Sequence, residues 1–335
     1  MMWEASAPSN IALVKYMGKK SVGNIAINPS LSLTLDHLRT FVQLEVNEVD
    51  ASKPIQSSEA DASKPTDSWE PHPNYPALVM TETGRAKYLA HLQRMKDFFG
   101  VNNMYFTIRS GNNFPADCGI ASSASSFAAL TLATAQAFSS LLKKTLPSSE
   151  VLADLSRQGS GSSCRSFFPG FVAWTEQGSV PVKIPTGSPL HNIYHQTVIA
   201  SGEKKSVSSS QAHERVQSSL LMAGREERAQ KRFDHVNIEL QKAQPQWSVL
   251  FEETWAEFWD MHALFETSVP SFGYMQRCSM EVLQAARKFW QQNGDGPLVT
   301  MDAGPNVHLL WRAEQKNQAQ AWMKENSQWQ WLASE

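Results

Sequence analysis

Apolar and polar positions switch between two periods along the chain, and the switches mark its elements. Short, nearly continuous apolar runs predict strands over Trp3 to Tyr16, Leu31 to Leu35, Thr40 to Val46 and Met104 to Arg109. Spacings of three and four predict helices over Thr81 to Phe99, Ser122 to Leu142 and Pro147 to Gln158. Phe171 to Trp174 and Val180 to Ile184 read as paired strands, and turn residues follow from Ile184 to Pro189. A second half then opens with a strand over His195 to Ala200. Helical patterns cover Gln211 to Ala229 and Asp234 to Thr267, with a break at Pro245, and then Tyr274 to Asn293. Strands at Leu298 to Met301 and Val307 to Trp311 and a helix over Ala313 to Asn326 end the pattern. Trp247, Phe251, Trp255, Phe258, His262 and Phe265 form one apolar stripe, which is core; His262 within it reads as a satisfied, partly buried imidazole.

One stretch breaks the alternation. From Asn47 to Tyr75 the chain is polar and carries a direct repeat, Asp50-Ala-Ser-Lys-Pro54 and Asp61-Ala-Ser-Lys-Pro65. Residues of this kind cannot build a core, so the segment reads as a solvated insert, or as a flap over a bound ligand. Strands followed by helices in each half give an α+β class in two layers, with domains at 1–187 and 188–335.

Composition narrows the function. The chain has 335 residues, of which 41% are hydrophobic, enough for two domains. A formal net charge of −2 argues against nucleic acid as the main partner. Three scattered cysteines, Cys118, Cys164 and Cys278, lack metal-ligand spacing and suit a reducing compartment. With no basic n-region followed by a long apolar run, the expectation is a cytoplasmic protein without a membrane partner.

Four segments carry candidate chemistry. Asn112-Asn-Phe-Pro-Ala-Asp-Cys-Gly-Ile-Ala-Ser-Ser-Ala-Ser-Ser126 runs from a turn into a helix start, an arrangement suited to phosphate. Gly119, with Ala121 after it, lets the backbone approach an anion, while Ser122, Ser123 and Ser125 offer hydroxyls to phosphate oxygens, Ser123 also to Mg²⁺. Asn10-Ile-Ala-Leu-Val-Lys-Tyr-Met-Gly-Lys19 delivers Lys15, Tyr16 and Lys19 from a buried strand to its exit loop. Gly159-Ser-Gly-Ser-Ser-Cys-Arg-Ser166 is read as a flexible hydroxyl-rich loop bearing Arg165. Met301-Asp-Ala-Gly-Pro-Asn306 places Asp302 in a tight turn after a strand.

In sequence and order these four segments resemble the GHMP small-molecule kinase superfamily, and within it the diphosphomevalonate decarboxylases. Met17, Pro29 and Ala212-His213 depart from the family pattern and stand near the substrate pocket. The resemblance implies a GHMP kinase fold: an N-terminal domain like ribosomal protein S5 domain 2, a ferredoxin-like C-terminal domain and a cleft between them. It also implies a homodimer with ATP and Mg²⁺ as cofactors and a phosphorylated mevalonate as small-molecule substrate. By the same resemblance Asp302 is the base for the 3-hydroxyl, Arg165 holds the substrate carboxylate, and Lys15 neutralises phosphate or supports Asp302. Tyr16, Lys19, Ser208 and Ser209 would bind the remote phosphates, with Arg85 and Lys20 as further cations; His213 reads as a plain solvent-facing histidine or, if protonated, as one more phosphate contact. A monophosphate substrate, a kinase that does not decarboxylate and a non-catalytic nucleotide- or RNA-binding protein are the alternatives.

Overall fold

The computed structural model describes residues 1–20, 24–47, 66–75, 80–115, 122–202 and 205–334. The insert's repeat, Gly119 and Ala121 lie outside them.

The first sheet is organised around one long strand. β2 (Ser30–Asn47) pairs antiparallel along its length with β1 (Met2–Val14), while its other edge pairs with β4 (Tyr105–Asn112) and β5 (Phe171–Thr175). The pattern predicted two strands here. The ladder with β1 slips between Pro8↔Arg39 and Ser9↔Leu35, so polar Asp36-His37 marks a bulge inside one strand rather than its end. A short β3 (Ser68–Pro71) runs parallel to β4, and β6 (Gly178–Pro181) completes a six-stranded sheet. β3 corrects the reading of all of 47–75 as a solvated insert. It is fixed by contacts outside its own sequence: Trp69 donates its indole N–H to Ser110, and Asp67 bonds Lys96 Nζ at 2.5 Å and the Phe106 N–H at 2.9 Å.

Three helices cover one face: α1 (Glu82–Phe99), α2 (Ser122–Leu142) and α3 (Ser149–Gly159). Alanines at 128, 129, 133, 135 and 137 let α2 pack close to the sheet, and its residues are mostly buried. The second sheet is four antiparallel strands in the order β10 (Gln330–Ala333), β7 (Ile193–Ile199), β9 (Val307–Arg312), β8 (Leu298–Thr300). β10 was not expected, because four residues after a turn carry too little pattern.

The predicted helix over 211–229 is divided. α4 (Ser209–Arg215) passes through two 3₁₀ turns to Gly224, and α5 (Arg225–Leu240) starts anew. α6 (Trp247–Glu266) carries the aromatic stripe into the core, with α7 (Arg277–Asn293) and α8 (Lys316–Glu325) beside it. One apolar cluster joins Ile11, Leu13, Leu31 and Leu33 of the first sheet to Phe251, Phe258, Leu298 and Leu309 of the second half. The halves therefore share a core, and the end of β1 is held between them.

Candidate active site

β1 leaves the sheet at Val14, and the next residue, Lys15, is 1% exposed. Its ammonium donates to Asp302 Oδ1 at 2.8 Å and to the Ala12 carbonyl at 2.7 Å. Burial lowers the Lys15 pKa, an effect opposed by the neighbouring Asp302 carboxylate. Asp302 follows β8; its carbonyl accepts from Gly304 N–H at 2.7 Å and from His262 Nε2 at 3.2 Å. His262 is the satisfied, buried imidazole its pattern suggested, and burial lowers its pKa to about 4.

Arg165 is buried too. The segment read as a flexible loop is a 3₁₀ helix, Gly161–Phe167, tied down by Ser156 and Ser163, whose hydroxyls lie 2.7 Å apart. The Arg165 guanidinium donates from Nε to Ser32 at 2.9 Å, from Nη1 to Ser30 at 2.6 Å and from Nη2 to the Asn10 side-chain oxygen at 3.3 Å. A guanidinium has five N–H donors, so one remains on each terminal nitrogen. All three partners are neutral, and Arg165 makes no salt bridge among the described residues. A buried cation without a counter-ion is costly, and burial lowers its pKa. Such a group is poised for an incoming carboxylate.

Asn10, Ser30 and Ser32 were not singled out from sequence. Their signal was there: Ser30, Ser32 and Thr34 alternate with Leu31, Leu33 and Leu35, yet all six are buried. A strand that buries its polar face as well as its apolar one is reserving hydroxyls for a partner.

A second group of residues gathers where the exit loop of β1 and α1 meet α4. The Tyr16 ring stands edge-on to Trp174 at 4.9 Å and against His213 at 4.4 Å. Gly161 admits that ring, since a Cβ there would lie 2.6 Å from it. Burial pushes the Tyr16 pKa up, so the phenol stays protonated and can donate. Lys19 bonds Asn24 Oδ1 at 2.9 Å; burial, and then Lys87, lower its pKa. Lys87 in turn reaches Ser210 at 3.0 Å. Ser208 caps α4 in a reciprocal pair with Gln211, and Ser209 is exposed beside it.

Three expectations for this group are corrected. Arg85 is exposed and lies over the Trp69 ring, 5.1 Å from its centre; Lys87, half a turn on, is the helix cation that faces α4. Lys20 pairs with Glu176 at the surface. His213 accepts the Gly18 N–H on Nδ1 at 3.0 Å, and burial lowers its pKa to about 3, so it is neutral. Met17 is buried with Val207, Met261 and Tyr274 in the apolar cluster beside it.

On the nucleotide side, the first turn of α2 has no charged residue to occupy its N-terminus. Ser122 and Ser123 are accessible, Ser123 3.5 Å from the Ser160 hydroxyl. Ser125 is not accessible: its hydroxyl bonds Thr40 at 2.7 Å and the Ser122 carbonyl at 3.1 Å, so it anchors α2 to β2. No group of three His, Cys, Asp or Glu side chains forms a metal cage among the described residues. A magnesium ion carried on nucleotide phosphates needs only one or two protein oxygens, and Ser123 fits that demand.

Comparison with known proteins agrees with this geometry. Residues 7–181 match the diphosphomevalonate decarboxylase-like N-terminal domain, and residues 197–330 match the mevalonate 5-diphosphate decarboxylase C-terminal domain. The chain belongs to the diphosphomevalonate decarboxylase family. The diphosphomevalonate decarboxylase of Saccharomyces cerevisiae is 31% identical over 331 residues, spanning 93% of this chain and 78% of the relative. A crystal structure of a mevalonate diphosphate decarboxylase from Legionella pneumophila superposes with a TM-score of 0.87 at 38% identity, covering 99% of this chain and 100% of that one. A structure designated MDDEF in complex with MVAPP, AMPPCP and magnesium gives a TM-score of 0.81 at 26% identity, covering 100% and 98%. The decarboxylase family thus accounts for both halves of the chain.

Proposed function

We propose that Asp302, Lys15 and Arg165 carry the ATP-dependent decarboxylation of 5-diphosphomevalonate to isopentenyl diphosphate, ADP, phosphate and CO₂. The family and its named relatives support the reaction. The observation that carries the assignment of residues is Arg165: a buried guanidinium with two free N–H groups, close enough to Asp302 and Lys15 for their charges to act on one another.

The substrate is a tertiary alcohol with a carboxylate two carbons away. Asp302 accepts the proton of the 3-hydroxyl as its oxygen attacks the γ-phosphorus of ATP. Lys15 holds the Asp302 carboxylate in place through the 2.8 Å contact. The C3–O bond then breaks and phosphate leaves, while the C1–C2 bond gives its electrons to the new alkene and CO₂ departs. Asp302 passes the accepted proton to solvent before the C3–O bond breaks; Arg165 then holds the substrate carboxylate by the planar fork of its two free N–H groups, and the Asp302 carboxylate stabilises positive charge developing at carbon 3. Mg²⁺ on the ATP phosphates, near Ser123, would neutralise charge during transfer. Tyr16, Lys19, Lys87 and Ser208 to Ser210 would hold the diphosphate, and the division of domains falls near 187/188, between β6 and β7.

A monophosphate substrate is the second reading. It is favoured by one finding: Lys20 is engaged at the surface and His213 is neutral, so neither adds a cation beside Lys19 and Lys87. The test is to incubate the purified chain with Mg-ATP and mevalonate, its 5-phosphate or its 5-diphosphate, and record ADP and CO₂. CO₂ released fastest from the diphosphate is the expected result. ADP without CO₂ makes the chain a kinase, and neither product from any of the three overturns the proposal.

A further inference from the structure

Two charged residues outside every motif are fully buried against the active-site lysine. Glu257 lies in the aromatic helix α6, and Arg225 opens α5; both are 0% exposed. Glu257 Oε1 accepts the Lys15 peptide N–H at 2.9 Å. Arg225 Nη2 donates to the Lys15 carbonyl at 3.3 Å, where Asn28 Nδ2 also donates at 2.9 Å. Glu257 and Arg225 bond each other through both carboxylate oxygens.

Lys15 stands one residue beyond β1, where the ladder that orients the backbone has stopped. Its peptide groups are satisfied instead by side chains from the second half. A neutral acceptor would satisfy an N–H at lower desolvation cost than a buried carboxylate, so the choice of a charged pair calls for a reason. We infer that Glu257 and Arg225 are positioning residues: by gripping the Lys15 peptide on both sides they hold its ammonium on Asp302. This rests on the catalytic reading of Lys15 and Asp302 above.

The network is braced on its far side. Asp260 bonds Arg225 at 2.9 Å, Arg228 at 2.9 Å and Arg232 at 2.6 Å. Arg228 also donates to the carbonyls of Leu221 and Ala223, flanking Met222, whose methyl would lie 2.9 Å from a Cβ on Gly18. The network thus reaches the exit loop at both Lys15 and Gly18.

Charge gives a readout that packing alone would not. The groups acting on the Lys15 ammonium are Asp302 from the turn after β8, Glu257 and His262 from α6, and Arg165 from the 3₁₀ segment, with Arg225 of α5 at its carbonyl. Removing the Glu257 charge leaves Asp302 as the one anion of this set, so the ammonium should lose its proton at lower pH. The test uses the full-length protein with Glu257→Gln, which keeps an acceptor for the peptide N–H. Expected are a kcat lower by roughly tenfold to 10²-fold, KM values within about threefold, and an alkaline limb of kcat displaced to lower pH. Glu257→Asp should restore the limb. Arg232→Gln, which removes a bond to the other Glu257 oxygen and none to Lys15, should cost stability without moving it.

The titration can be read without turnover, from NMR of the lysine side chains in the free protein, with Lys15→Met to assign the signal. A chain that makes neither ADP nor CO₂ would sink the catalytic reading and leave this measurement intact. Unchanged Lys15 titration and kcat in Glu257→Gln overturn the inference, as does an equal shift in Arg232→Gln. Should Glu257→Gln fail to fold, Arg225→Lys keeps the charge but loses the fork; a kcat loss with unchanged KM supports the inference, and wild-type kcat overturns it.

Discussion

Lys87 on α1 donates to Ser210 at the start of α4, 123 residues further along the chain, at 3.0 Å. The bond joins the two halves of the chain near Lys19, whose pKa is depressed partly by Lys87 itself. A lysine whose charged form is disfavoured by a second cation nearby is stabilised by an anion between the two. Lys87→Ala should therefore raise KM for the diphosphate substrate by roughly tenfold, the loss of a charge-assisted bond. Arg85→Ala should leave it within about twofold. Steady-state kinetics of both variants decide between them, and equal effects would return Arg85 to the clamp.

Asp302→Asn keeps the shape of the side chain and removes its charge. Turnover should drop by at least roughly 10²-fold while substrate and ATP still bind, as expected for loss of a general base. A variant retaining more than about a tenth of wild-type kcat would show that another group takes the proton.

Arg165→Lys should fail almost as badly as Arg165→Ala. Ser30, Ser32 and Asn10 are arranged for three separate guanidinium nitrogens, and an ammonium can neither engage all three nor present a planar fork. CO₂ release from the lysine variant near the wild-type rate would remove Arg165 from the carboxylate site.

Stability should fall as the solution is acidified below neutrality. Burial lowers the pKa of His91 and His213 to about 3 and that of His262 to about 4, and it holds His195 well below the ordinary value. An unfolded histidine takes up its proton near pH 6.5, so each stabilises the fold fully above that pH. The contribution is lost as pH falls toward the folded value, at up to about 1.4 kcal/mol per pH unit for each histidine. Melting temperatures between pH 7 and pH 4.5 measure the slope. His91→Gln, whose partner is Thr131 at 2.8 Å, should flatten it.

Asp67→Asn should lower the melting temperature measurably, because Asp67 ties the start of β3 to the buried Lys96 and to the Phe106 N–H. Removing the repeat from Asp50 to Pro65 should change it little, since those residues have almost no apolar surface to bury. A large loss in the deletion would give the repeat a structural part.

Sequence alone determined what is local or contiguous. The period of α2, the strand that stops just before Lys15, the turn that carries Asp302 and the aromatic stripe of α6 each follow from spacing within one segment. The four motifs were enough to resemble the family and to single out Asp302, Arg165 and Lys15 as candidates. What tertiary structure decided depends on groups far apart in the chain. Asp302 meets Lys15 across 287 positions and Glu257 meets it across 242, and no periodicity encodes such a distance. A single turn of helix could not be resolved from pattern either, so the cation facing α4 proved to be Lys87 and not Arg85. Whether a polar side chain serves a ligand or the fold depends on what is packed against it. Ser125 bonds the sheet while Ser123 remains open because α2 turns one toward β2 and the other toward the cleft, and only the docked helix fixes that rotation.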